Sequence, residues 1–182
     1  MALPISKEIR EKCIAIQEDG RERFPSVRWG APAQLHLTLV FLGELAFPEY
    51  LQVKEVVPDI ANNLPPFSLE IARLGAFPER QSPKLIWVGV SESPLLMAMQ
   101  KKYKIGIAAL DIPVEARPFQ PHVTLGRVRK GGGETDHLSP WMKQEENVQL
   151  GRCEVKEVML MESELRPEGS LYKCILAAPL RG

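Results

Sequence analysis

The chain has 182 residues, 45% of them hydrophobic and 25% charged, with a formal net charge of zero. That length suits one domain or two small halves sharing a core, and the composition is ordinary for a globular protein. A protein that holds long nucleic acid by its phosphates carries a clear basic excess, so the balance here, with a pI near 6.8, points to grip on an end or a single nucleotide at most.

Residues 2–5 read as the end of a short strand. The opening Met1-Ala2-Leu3-Pro4-Ile5-Ser6 passes straight into Lys7-Glu8 without a signal-peptide core, and no apolar stretch is long enough to span a bilayer. No membrane association and a cytoplasmic location are therefore expected. Ser6 reads as an N-cap, with Ile9, Cys13 and Ile16 as the apolar stripe of a helix ending near Gly20. Cys13, Cys153 and Cys174 are odd in number and widely spaced. They read as buried free thiols in a reducing compartment, since nothing resembles a zinc pair or a disulfide framework.

A turn-rich approach over residues 24–32 leads to Leu35-His36-Leu37-Thr38-Leu39, a strand running to about Leu42 and closed by Gly43. A helix is expected over residues 48–62, carrying Leu51, Val56, Val57 and Ile60, with a break at Pro65-Pro66. Residues 67–71 alternate as a half-buried strand does, and Gly75-Ala76-Phe77-Pro78 ends it. Residues 85–90 read as a mostly apolar strand. Ser93 caps a third helix through about Leu110, with Leu96, Met99 and Tyr103 facing inward.

Pro118-Phe119-Gln120-Pro121 then enters a second strand, His122-Val123-Thr124-Leu125. The glycine-rich residues 129–134 read as a flexible loop, with a short helix or loop at 138–143. Two final strands are expected near residues 152–162 and 171–178, joined by the turn Arg166-Pro167-Glu168-Gly169-Ser170. The element order predicts an α+β fold of antiparallel sheets with helices packed outside, in a single domain of two similar lobes.

The two His-x-Thr stretches carry the chemistry. A strand sends alternate side chains to opposite faces, so His36 and Thr38 share one face while Leu35, Leu37 and Leu39 fill the other. His122 and Thr124 repeat this against Val123 and Leu125. Two of only three histidines occupy the same frame, close to half the chain length apart, and packing alone gives no motive for that. A lone strand histidine would be read as structural, and His137, beside Asp136, is read as exposed and unrelated.

Two lobes would bring both polar faces to one cleft. There one imidazole can take a proton from an attacking oxygen and the other can protonate a leaving oxygen at phosphorus. The Thr38 and Thr124 hydroxyls suit the non-bridging oxygens. Arg127 also suits a phosphate, but simple alternation turns it away from Thr124, so that role requires a bulge or twist near Gly126. No HExxH or close ligand spacing supports a metal. Trp29, Trp87 and Trp141 read as packing residues, and so by default do Phe41 and Tyr172.

His36-Leu37-Thr38-Leu39 with Phe41-Leu42-Gly43, and Pro121-His122-Val123-Thr124-Leu125-Gly126-Arg127, resemble the two-histidine phosphoesterase superfamily. Within it the likeness is to RNA 2′,3′-cyclic phosphodiesterases, also called 2′-5′ RNA ligase-like proteins. Leu3-Pro4, Gly75-Ala76-Phe77-Pro78, Leu85-Ile86-Trp87-Val88-Gly89, Phe119-Gln120-Pro121-His122 and the stretch at residues 163–172 extend the resemblance over most of the chain.

The resemblance implies a bilobal α+β fold of two antiparallel β-sheets with outer helices, a pseudo-two-fold axis and a cleft between the lobes. It implies hydrolysis of RNA 2′,3′-cyclic phosphate ends to 2′-phosphomonoesters without metal or cofactor, and weak reverse 2′-5′ ligation. By motif, His36 protonates the 3′ leaving oxygen, His122 activates water, and Thr38, Thr124 and Arg127 hold the phosphate. RNA ends or nucleotides bearing the cyclic phosphate are the expected partners, and a monomer is expected because one chain supplies the whole site. The alternatives are a phosphodiesterase for 2′-5′ oligonucleotides or small cyclic nucleotides, and a non-catalytic RNA-end binding module.

Overall fold

The computed structural model describes residues 1–129, 137–166 and 169–182, with backbone alone at 165, 166, 169 and 170. Residues 130–134 of the glycine-rich stretch expected to be flexible, and residues 167–168 of the expected turn, lie outside the described residues. The strands are β1 (Ala2–Pro4), β2 (Val27–Trp29), β3 (His36–Thr38), β4 (Phe67–Phe77), β5 (Leu85–Val90), β6 (His122–Val128), β7 (Gln149–Val155), β8 (Glu157–Arg166) and β9 (Gly169–Pro179). The helices are α1 (Lys7–Arg23), α2 (Phe47–Ala61), α3 (Pro94–Ala108) and α4 (Leu138–Gln144), with a 3-10 turn at Pro32–Gln34.

Every strand pairing is antiparallel, and the α+β expectation holds. The two expected sheets, however, are hydrogen-bonded into one of order β7-β4-β5-β6-β3-β1-β8-β9, with β2 also pairing β6. The joint is a single ladder pair, Leu37↔Val123. Outward from it run β3, β1, β8 and β9 on one side and β6, β5, β4 and β7 on the other. The motif strands of the two halves are therefore the ones that meet.

Alternation explains why the motifs face outward at this joint. Leu35, Leu37 and Leu39 are buried, as are Val123 and Leu125. Slipping either strand by one residue would expose these apolar side chains and bury imidazole and hydroxyl groups instead. Each exposed Leu would forfeit about 1.5–3 kcal/mol.

The helices cross over between halves. Helix α1 follows β1 but packs on β2, β6 and β7, while α3 follows β5 and packs on α2, which itself lies on β8 and β9. Both predicted caps form: the backbone N–H of Ile9 donates to Ser6 Oγ at 3.3 Å and that of Leu96 to Ser93 Oγ at 3.2 Å. The inward face of α3 is Leu96, Met99, Tyr103 and Ile107.

Two helices differ from expectation. The buried face of α1 runs Ile9, Cys13, Gln17 and Gly20, so Gln17 takes the place expected of Ile16. The helix also continues past Gly20, where the Trp29 ring lies so close that even a methyl group would overlap it. In α2 the buried ridge is Val53, Val57 and Ala61, and Leu51 is exposed. The residues four apart point at α3 and the sheet, as helical geometry requires.

The expected strand at 152–162 is in fact parts of two. Chain flow breaks at Lys156, sending β7 to β4 at one end of the order and β8 to β1 in the other half. No glycine or proline marks that break, because it is made by a change of partner rather than by a turn. Cys13 and Cys153 are buried, and burial pushes the Cys13 thiol up to about 12, but Cys174 on β9 is exposed. Among the described residues no helix is long and apolar enough to cross a membrane.

Candidate active site

The joint between β3 and β6 decides the geometry. Because Leu37 faces Val123 across an antiparallel pair, continuing the register by one residue sets His36 opposite Thr124 and Thr38 opposite His122. The two histidines are then diagonal neighbours, about 7–8 Å apart in a regular ladder. A tetrahedral phosphorus fits between two imidazoles at that spacing. The positive charge of His122 is felt at His36, in keeping with their proximity.

The His122 imidazole is oriented from behind. His122 Nδ1 lies 2.7 Å from the backbone carbonyl of Gln120, so Nδ1–H donates there and Nε2 keeps its lone pair. The backbone of Gln34, two residues before His36, likewise favours the protonated form of that ring. Sequence reasoning overlooked Gln34 and Gln120. The signal was present: each lies two residues before its histidine, Gln34 at the end of the 3-10 turn and Gln120 just ahead of β6.

Aromatic edges brace both rings. Tyr172 meets His36 at 4.9 Å between centroids and 73°, and Phe77 meets His122 at 5.0 Å and 84°. Trp87 packs beside Phe77 and His122. On the cleft side, His36 Nε2 lies 3.2 Å from Thr38 Oγ1.

Both imidazoles have pKa values below the ordinary range. Burial is the main cause at each. At His36 the charges of the chain's amino group, Arg10 and His122 act in the same direction, and at His122 the charge of Arg127 does so.

The bulge that Arg127 requires is present. Along β5, Ile86 and Trp87 are consecutive, yet their β6 partners are Gly126 and Thr124, so Leu125 is the extra residue. That insertion returns Arg127 to the face of Thr124, and both line one cavity of about 460 Å³ with His36, Thr38 and Tyr172. His122 stands beside this cavity without lining it.

The first motif carries the matching irregularity, since Leu39 and Val40 both donate to the Met1 carbonyl. Phe41 thereby becomes the positional counterpart of Arg127. It is 69% exposed and is not the packing residue expected. Tyr172, also expected to pack, lines the cavity instead. Trp29 does both, lining the cavity and meeting Trp141 edge-on at 6.1 Å. His137 is exposed at the start of α4 and outside the cavity. Among the described residues no cluster of three or more His, Cys, Asp or Glu stands together as a set of metal ligands.

Gln17, buried on α1, anchors the bulge. Its Nε2 donates to the Leu125 carbonyl at 2.8 Å and to the Gly30 carbonyl at 3.0 Å. Gln17→Leu keeps the volume but removes both bonds, and is expected to cost about 1–3 kcal/mol. Urea unfolding measures this, and a change under about 0.5 kcal/mol, typical of a neutral surface substitution, would contradict the anchoring role.

Comparison with known proteins follows this internal symmetry. A family model described as LigT like Phosphoesterase matches twice, over residues 3–87 and 88–172, each match holding one His-x-Thr motif. The chain is 29% identical over 172 residues to the RNA 2′,3′-cyclic phosphodiesterase of Methanothermobacter thermautotrophicus, spanning 94% of this chain and 92% of that one. It is 30% identical over 141 residues to the protein of that name from Aeropyrum pernix, spanning 77% and 78%. The crystal structure of a Thermus thermophilus protein superimposes with a TM-score of 0.80 at 28% identity, covering 100% of this chain and 96% of that one.

Proposed function

Because the chain belongs to the LigT-like phosphoesterase family, and is on that footing a phosphodiesterase, we propose that it hydrolyses RNA 2′,3′-cyclic phosphate ends to 2′-phosphomonoesters using its two histidines and no metal. The observation that carries this reading is the Leu37↔Val123 pair, which faces two His-x-Thr motifs against each other. Nε2 of His122, left basic by the Gln120 carbonyl, takes a proton from water as it attacks phosphorus. His36 delivers a proton to the departing 3′ oxygen. The Thr38 and Thr124 hydroxyls and the Arg127 guanidinium hold the non-bridging oxygens as charge builds on them. With a 5′ ribose hydroxyl attacking phosphorus in place of water, the same displacement of the 3′ oxygen gives weak 2′-5′ ligation, the reverse of cleaving a 2′-5′ bond.

The test is to treat the purified protein with chelator, supply an oligoribonucleotide ending in 2′,3′-cyclic phosphate, and map the product end. A 2′-phosphate is expected, and a 3′-phosphate or an absolute metal requirement would overturn the reading. The pH profile gives an independent check. In free enzyme His122 must be neutral and His36 protonated, and burial lowers both pKa values. The alkaline fall in kcat/KM, set by loss of the His36 proton, therefore begins below the ordinary imidazole value of about 6.5. Bound phosphate stabilises protonated His36, so the kcat profile extends to higher pH than kcat/KM. An optimum of kcat/KM above about pH 8 would contradict this assignment.

A further inference from the structure

Strand β2 pairs with β6 beyond the bulge, and Arg28 stands directly opposite Arg127. Like charges facing each other across a ladder destabilise it. The approach is nevertheless close, because Gly126 has no side chain to hold Val27 and Trp29 away. Arg21, from the last turn of α1, lines the same cavity. No Asp or Glu is among the residues lining that cavity. On α1, by contrast, Arg23 is paired with Asp19 at 2.8 Å and Lys12 with Glu8 at 2.9 Å. Among the described residues, none of Arg21, Arg28 and Arg127 makes an ion pair. A chain with no net charge thus concentrates three uncompensated guanidinium groups in one cavity.

One cyclic phosphodiester carries a single negative charge, which Arg127 with the Thr hydroxyls and a protonated imidazole already answers. Two further guanidiniums exceed what that group needs. Strand rise places the Arg28–Arg127 rung no more than about 10 Å from Thr124, within reach of the neighbouring nucleotide for a side chain as long as arginine. We propose that Arg28 and Arg21 form a second anion subsite for the internucleotide phosphate next to the terminal cyclic one, so that the enzyme prefers oligoribonucleotide ends to isolated nucleoside cyclic phosphates. This rests on the reading under Proposed function.

The experiment compares kcat/KM on a nucleoside 2′,3′-cyclic phosphate and on a short oligoribonucleotide with the same terminal nucleotide, for wild type, Arg28→Ala and Arg28→Lys. Removing a charge-assisted contact is expected to cost about tenfold or more on the oligonucleotide, and several-fold less on the nucleoside. Arg28→Lys restores part of the difference. Equal losses on both substrates overturn the subsite, because Arg28 would then serve the terminal phosphate or the fold.

Binding of an oligoribonucleotide ending in a 2′-phosphate, titrated against salt, judges the subsite without turnover. Arg28→Ala is expected to weaken it and to lower the salt slope by about one phosphate contact. Unchanged affinity and slope overturn the proposal. If wild type hydrolyses neither substrate, the cyclic-phosphate reading fails, and the binding result still decides the subsite by the same criterion.

Discussion

Replacing His122 with alanine is expected to lower kcat/KM on a 2′,3′-cyclic phosphate end by about 10²–10⁴-fold, and His36→Ala by a similar factor. The double variant should be little worse than either single one, because a base and an acid acting in one step are not independent. Both variants should remain folded. The imidazoles lie on the face opposite Leu35, Leu37, Val123 and Leu125, so the buried apolar layer is untouched. The edge contacts of Tyr172 and Phe77 are lost, at a cost of about 0.5–1.5 kcal/mol each.

The two roles can be separated by changing the leaving group. A phosphodiester that expels an activated phenolate needs no proton from an acid. Such a substrate should recover much of the loss in His36→Ala and little of it in His122→Ala. Recovery in His122→Ala alone would exchange the roles, and full activity of either variant on the RNA end would end the mechanism.

Arg127→Ala is expected to lower kcat/KM by about 10²–10³-fold, the usual effect of removing a preorganised partner from a developing negative charge. Arg127→Lys should recover only part, because lysine restores the charge without the planar fork that binds two oxygens. The expectation depends on the bulge at Leu125. Without it, Arg127 would point away from Thr124, and the substitution would be a surface change. Steady-state kinetics on the same RNA end measure the effect. A loss below about threefold would place Arg127 outside the reacting phosphate's reach.

The candidate site was legible in the sequence to the extent that local periodicity decides it. His36, Thr38, His122 and Thr124 share faces because strand side chains alternate, and the apolar residues between them choose which face is buried. The caps at Ser6 and Ser93 were legible for the same reason, since a hydroxyl three residues before an N–H is a local relation. Even the need for an irregularity beside Arg127 followed from counting along one strand.

The rest depended on which distant strands meet. The fusion of two expected sheets through Leu37 and Val123, the division of one expected strand into β7 and β8 at Lys156, and the opposition of Arg28 to Arg127 all concern register between segments far apart in the chain. So does the anchoring of the Leu125 carbonyl by Gln17, which leaves no apolar signature on α1. The exposure of Cys174, Phe41 and Leu51 belongs here too, because hydrophobicity states what a side chain prefers and not whether a partner is present to cover it. The sequence by itself determined the candidate groups and the face each one occupies, through periodicities of two and 3.6 residues acting within single elements. Tertiary structure alone decided their mutual distances and the charge gathered around them, because inter-strand register and neighbouring elements are set by packing across the whole fold.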